Sequence, residues 1–199
     1  MIMNKSKSLF AIIILLVFTQ CKDDLNIAEY VQFYNKKDNG LTQSVQQDST
    51  VYAISIRSRE YMALMNIGPD AMHLSKEELK KQIEETEDFT YIFFKIQNDG
   101  LIIKKDSVEK IDQINYFQSG VLNDVYLINK GNKIYPCLST YISSNNMVNE
   151  HTLILAFPVP FSEIESKPEF IVNKSTYFTK NISIPLPIKN KNTLPELSF

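Results

Sequence analysis

The chain has 199 residues, with 21 Lys and Arg against 23 Asp and Glu, a formal net charge of −2 at pH 7. No basic cluster exceeds a pair (Lys36-Lys37, Lys80-Lys81, Lys104-Lys105), which argues against the cationic stripe that nucleic acid requires. Twelve Phe and ten Tyr favour strands, whereas the lack of Trp argues against a carbohydrate module that stacks sugars on indole.

Lys5 and Lys7 precede an unbroken apolar run from Leu9 to Phe18, and Thr19-Gln20-Cys21-Lys22-Asp23-Asp24 follows. Ten residues rise only about 15 Å as a helix, half the hydrocarbon thickness of a bilayer, so the segment has the form of a cleaved secretory signal and not of a span. The stretch Val17 to Cys21 resembles a bacterial lipobox, and Lys22-Asp23-Asp24 resembles the surface-export signal of Bacteroidota lipoproteins. This resemblance implies a signal peptide over residues 1–20, a covalent lipid on Cys21 with no other cofactor, and an outer-membrane protein exposed at the cell surface. It extends over the targeting region only. An ordinary secreted protein with an incidental Cys21, or an uncleaved anchor, is the alternative reading.

Cleavage takes the cationic side chains from 21 to 19 against 23 acids, a net charge near −4, and leaves 179 residues, the size of one domain. The only other cysteine is Cys137, so a lipid on Cys21 leaves no disulfide, while without it the two can pair. Cys137 lies in the apolar run Ile134-Tyr135-Pro136-Cys137-Leu138 and reads as a buried, inert thiol.

Residues 21–27 read as lipidated cysteine, export signal and short tether. Ala28 to Tyr34 follows as a strand-like run, Asn35 to Gly40 as a turn, and Val51 to Ser58 as a half-buried strand with Tyr52, Ile54 and Ile56 on one face. Tyr61, Leu64 and Met65 predict one or two helical turns stopped by Gly68-Pro69. Ser75-Lys76-Glu77-Glu78 is a capping box that opens a helix to about Glu87, and its apolar seam of Leu79 and Ile83 is so narrow that the helix must lie on the surface.

Phe89 to Gln97 predicts a strand, with Asn98-Asp99-Gly100 turning it back into Leu101-Ile102-Ile103 as a hairpin. Val108, Ile111, Ile114 and Phe117 recur at helical spacing, so Asp106 to Phe117 is a helix or its rival, a connecting loop. A second hairpin is predicted from Val121 to Ile128, through Asn129-Lys130-Gly131-Asn132, to Lys133 to Ser143. His151 to Phe157 alternates with Leu153, Leu155 and Phe157 on one face and stops at Pro158. Phe170 to Asn173 and Ile182 to Ile184 are short late strands ahead of an irregular tail, 186–199.

Chemistry is sparse. His73 and His151 are the two histidines; Asp70-Ala71-Met72-His73 falls in a loop after Gly68-Pro69, and Glu150-His151 are strand neighbours that point to opposite faces, so neither pair is a convincing metal site. Gly-x-Ser-x-Gly, His-Glu-x-x-His and phosphate-binding glycine loops do not occur, and no catalytic residue is assigned. Glu163 and Glu165 have the spacing of a carboxylate pair but sit in a Pro-bounded polar stretch that reads as a solvated loop.

Short strands with turns at intervals and few helices point to an antiparallel, immunoglobulin-like β-sandwich over 28–185 with one or two short helical insertions. The functional expectation is a non-catalytic, surface-exposed outer-membrane lipoprotein that binds a protein as an accessory subunit of an outer-membrane assembly. A surface module that captures glycan, peptide or another nutrient on aromatics such as Tyr126, Tyr135 or Tyr141 is the alternative, with a periplasm-facing envelope lipoprotein or a hydrolase behind it.

Overall fold

In a computed structural model, the described residues are 24–36, 38–98, 108–143, 150–165, 167–186 and 194–198. The elements in chain order are β1 (Asp24–Leu25), α1 (Ile27–Asn35), β2 (Thr42–Gln47), β3 (Thr50–Arg57), α2 (Arg59–Ile67), a 3₁₀ segment (Gly68–His73), α3 (Lys76–Glu85), β4 (Thr90–Asn98), α4 (Val108–Gln118), a second 3₁₀ segment (Gly120–Asn123), β5 (Val125–Asn129), β6 (Asn132–Ile134), β7 (Leu138–Ser143), β8 (Glu150–Phe157), a 3₁₀ turn (Phe161–Glu163), β9 (Glu169–Val172), β10 (Ile182–Pro185) and β11 (Glu196–Leu197). The protein is mainly β, and its two larger sheets are antiparallel and do not close into a barrel.

The larger sheet has the order β2-β3-β4-β8-β7 and the smaller β10-β9-β5-β6. Alternation along the strands decides what each face does, because successive side chains point to opposite sides. Ile54 of β3 lies beside Phe94 of β4, and Phe94 beside Leu153 of β8, so one face of the larger sheet is a continuous apolar row. That row joins Val125 and Leu127 of β5, Phe170 and Val172 of β9, and Ile182 and Ile184 of β10 in one buried cluster shared by both sheets. The ring of Phe94 packs 5.0 Å from that of Phe170 and 6.2 Å from those of Tyr52 and Phe178. Burying each such side chain contributes about 1.5–3 kcal/mol relative to leaving it in water.

The opposite face of the larger sheet carries a second buried cluster, in which Tyr91 and Phe93 of β4 and Ile154 and Ala156 of β8 meet α1, α2 and α3. A third sheet pairs β1 with β11 in parallel, Asp24 beside Glu196 and Leu25 beside Leu197. It fastens the chain just after Cys21 to the C-terminal segment, and the Ser198 amide donates to the Leu25 carbonyl at 2.7 Å.

Several expectations need correction. The run Ala28 to Tyr34 is helix α1 and not a strand, because Asn26 and Glu29 form a reciprocal capping box and Tyr30 and Tyr34, four residues apart, bury on one face. Residues 24–25 are not free tether, and the tail 186–199 contains β11, whose Leu197 is buried in the helix-side cluster. Four α-helices stand among the described residues where one or two short insertions were expected.

Asp106 to Phe117 resolves as helix α4 from Val108. The second hairpin is shorter than predicted: β5 turns through Lys130 and Gly131, both at positive φ, into β6, and after Tyr135-Pro136 the chain crosses to the larger sheet as β7. The return strand Leu101 to Ile103 lies outside the described residues, and both edges of β4 are already taken by β3 and β8. The capping box at Ser75 forms as read, with Glu78 accepting from the Ser75 amide at 2.9 Å and Leu79 and Ile83 buried beneath.

Candidate functional site

Helix α1 divides the helical layer into two concavities of different character. Ile27, Ala28, Val31, Gln32 and Asn35 project to one side, at spacings of three and four residues; Tyr30 and Tyr34 project to the other. On the first side is an apolar groove of about 690 Å³, completed by Leu64 and Met65 of α2 and by Gly68, Pro69, Ala71 and Met72 of the 3₁₀ segment. None of its lining side chains is charged. Met65 and Met72, 51% and 61% exposed, form its rim. Gly68 suits the corner because its φ of +70° is one that side-chain-bearing residues seldom adopt.

On the second side is a polar cleft of about 550 Å³, walled by Tyr30, Ser58, Arg59, Glu60, Lys80, Glu84 and Asp88, and closed by Leu194 to Leu197 of the C-terminal segment. Ser58 has two tasks here: its hydroxyl accepts from the Tyr61 amide at 3.1 Å as the N-cap of α2, and it lies 2.8 Å from the Tyr30 hydroxyl. Burial, then Tyr34 and Glu60, push the Tyr30 hydroxyl well above its ordinary pKa, so it stays protonated and can act only as a neutral donor or acceptor.

Between the two concavities, beneath α1 and α2, lies Arg57. It is buried, and its guanidinium carbon sits 5.1 Å from the ring centre of Phe93, 5.2 Å from Tyr61 and 5.9 Å from Tyr34. Nη1 donates to the Ile56 carbonyl at 2.9 Å, while Nε has no hydrogen-bond partner among the described residues. No ion pair among them includes it. Burial pulls its pKa down, opposed by Tyr61 and Tyr34; the aromatic faces therefore stand where a carboxylate would ordinarily be. Arg59, two residues on, also has a buried Nε with no hydrogen-bond partner among the described residues.

The residues singled out from the sequence do not converge. Cys21, Lys22 and Asp23 lie outside the described residues, and Asp24 is the first residue of β1. His73 is exposed at the end of a 3₁₀ segment, which replaces the loop expected over Asp70 to His73. His151 is buried on the face of β8 turned to the shared core, where its ring packs 5.9 Å from each of Phe117 and Tyr141, themselves 5.3 Å apart. Its Nδ1 is 2.7 Å from the Tyr141 hydroxyl, and Nε2 has no hydrogen-bond partner among the described residues. Burial lowers its pKa.

Among the described residues no group of three or more His, Cys, Asp and Glu could hold a metal ion. Glu163 is exposed in a 3₁₀ turn and Glu165 is half-buried beyond it. Tyr126 and Tyr135 pair at 5.5 Å on the smaller sheet, away from Tyr141, so the three do not form one platform. Cys137 is exposed and not the buried thiol expected, because the chain is changing sheets at that point; its Sγ lies 3.4 Å from the Ala156 carbonyl.

Leu138 and Ile142, 58% and 47% exposed, stand on the terminal strand β7 on the face that also carries the helices. Sequence reading missed the groove, the cleft and the Arg57 cage. One signal was available: Arg57-Ser58-Arg59 holds the only two arginines in a chain whose other 19 basic residues are lysines. No family model matches this chain, and no curated protein or solved structure shows detectable similarity to it. No helix among the described residues is long and apolar enough to cross a membrane.

Proposed function

We propose that this is a non-catalytic lipoprotein of the outer-membrane surface, anchored through Cys21, that binds a partner protein as the accessory subunit of an outer-membrane assembly. The observation that carries partner binding is β7: a terminal strand with two exposed apolar side chains, Leu138 and Ile142, offers an edge for strand addition. The framework is read as an immunoglobulin-like β-sandwich with a helical layer added outside its larger sheet. Support for the sandwich comes from the apolar cluster to which both sheets contribute.

Localisation is tested on whole cells with protease. The wild type should be cut, Lys22→Ala/Asp23→Ala/Asp24→Ala should be protected, and Cys21→Ala should leave the membrane fraction. Partner binding is tested by native electrophoresis of gently solubilised membranes. The protein should migrate in a larger assembly that Leu138→Lys/Ile142→Lys dissolves without loss of folding; migration of the wild type as a free monomer sinks the accessory-subunit reading.

The polar cleft favours a second reading, capture of a small polar nutrient. Arg59, Lys80, Glu60, Glu84 and Asp88 all line it, with Lys80 3.9 Å from Glu84 on α3, so it presents both charges to a ligand, and the buried Arg59 Nε has no hydrogen-bond partner among the described residues. Calorimetry with free amino acids and short peptides would support this reading if heat appears and is lost in Arg59→Gln.

A further inference from the structure

We infer that the apolar groove between α1 and α2 is the face on which the domain rests on the bilayer, with Met65 and Met72 entering the acyl region and the polar cleft left in water. The inference rests on the lipid anchor at Cys21 proposed above and adds an orientation to it. Three observations carry it.

The first is distance. From Cys21 to Asp24, the start of β1, is three residues, at most about 10 Å of extended chain. Because β1 is held by β11 and leads through Asn26 directly into α1, the anchor ends beside the helix whose Ile27, Ala28 and Val31 form one wall of the groove; β11 also borders the polar cleft, so the tether brings both sides of α1 to the membrane and their charge decides between them. A tether this short turns membrane contact into an intramolecular event, so a surface too weak to bind a membrane alone can stay docked.

The second is charge. The mature chain carries a net charge near −4 and is repelled by an anionic leaflet, so the contact face must offer apolar area without adding negative charge. The groove lining contains no charged residue, whereas the cleft on the other side of α1 contains six, including Glu196.

The third is side-chain type. The rim is built of methionine, unbranched and polarizable, which adapts to a fluid acyl surface better than a β-branched side chain does. A second copy of this chain is the rival occupant, and it is separated by experiment.

The absence of Trp makes the test clean, since a single introduced indole is the only one in the protein. The chain from Cys21 onward, which contains every described element, would carry Cys137→Ser so that a maleimide lipid couples at Cys21 alone. Met72→Trp, Met65→Trp and, as the distant control, Tyr135→Trp are each coupled to phosphatidylcholine vesicles with doxyl groups on the lipid chains. The expected result is a blue shift and doxyl quenching for the two groove positions on coupling, no change for Tyr135→Trp, and loss of quenching when Met65→Lys accompanies Met72→Trp.

Unchanged emission at both groove positions overturns the inference. So does a blue shift that is already present in uncoupled protein and grows with concentration, which means a second copy fills the groove. A shift on coupling without doxyl quenching also overturns it, because the coupled lipid's own chain then occupies the groove. Chemical coupling replaces cellular acylation, so these results stand apart from the anchor reading. That reading fails separately if Cys21 isolated from cells carries no lipid by mass spectrometry.

Discussion

On β4, Ile92, Phe94 and Ile96 point into the core shared by the two sheets, while Tyr91, Phe93, Lys95 and Gln97 lie on the other face of the same strand. The first face meets a second sheet and closes on side chains that are nearly all apolar. The second meets helices at one end, where it buries a cation among rings and leaves two concavities, and is partly uncovered at the other, where Lys95 pairs with Glu150 at 2.9 Å. Alternation gives one strand set both tasks. The closed face supplies stability, and the helix-covered face has room for chemistry and contact.

The largest effect expected from this division is at Phe94. Its ring is fully buried and packs against Tyr52, Phe170 and Phe178, so Phe94→Ala should cost about 3–5 kcal/mol by urea unfolding. Met65→Ala, on the groove rim, should change stability by less than about 0.5 kcal/mol. Similar costs at the two sites would erase the distinction between the faces.

Arg57 sharpens the comparison from within the helix-covered face. Arg57→Ala empties a filled site and should cost about 2–3 kcal/mol, whereas Arg57→Met keeps the volume and removes the buried charge, so it should lie within about 1 kcal/mol of wild type. Among the described residues the guanidinium has no carboxylate partner to leave behind, which is why the methionine is expected to be tolerated. If Arg57→Met is as damaging as Arg57→Ala, the three ring faces stabilise the cation by more than its desolvation costs, and the cage is a source of stability in its own right.

How much of this was legible in the sequence differs by the range of the interactions involved. Ser75-Lys76-Glu77-Glu78 announced α3 because a capping box closes within four residues. Asn26 and Glu29 announce α1 by the same device, but Tyr30, Val31, Phe33 and Tyr34 have strong strand preference, and the pairing of Tyr30 with Tyr34 on one helical face was outweighed. Alternation gave the correct inward faces of β3 and β8, since a period of two is local.

It could not say that β8 pairs with β4 across more than 50 residues, nor that β6 and β7 part at Tyr135-Pro136, because pairing partners are set by packing between distant segments. The concavities were illegible for the same reason. Their walls come from α1, α2, α3 and both ends of the described chain, and the cage adds β3 and β4.

His151 breaks the tidy form of the comparison, since it is a titratable ring on the closed side of β8. Its Nδ1 is engaged by the Tyr141 hydroxyl, Phe117 stacks against it at 5.9 Å, and its Nε2 has no hydrogen-bond partner among the described residues. Protonation would place a charge that no acid among the described residues pairs with, and burial lowers its pKa in the folded state. Between that lowered value and an unfolded pKa of about 6.5 the unfolded chain binds more protons than the folded one, so stability is lost as pH is lowered through this window. The loss reaches at most about 1.4 kcal/mol per pH unit and vanishes above the unfolded value. Urea midpoints measured from pH 7.5 down to 5 should therefore decline more steeply for wild type than for His151→Gln, while carboxylates titrate alike in both. Parallel profiles would mean that the ring is as readily protonated in place as in water, and that the closed face admits solvent at its Tyr141 margin.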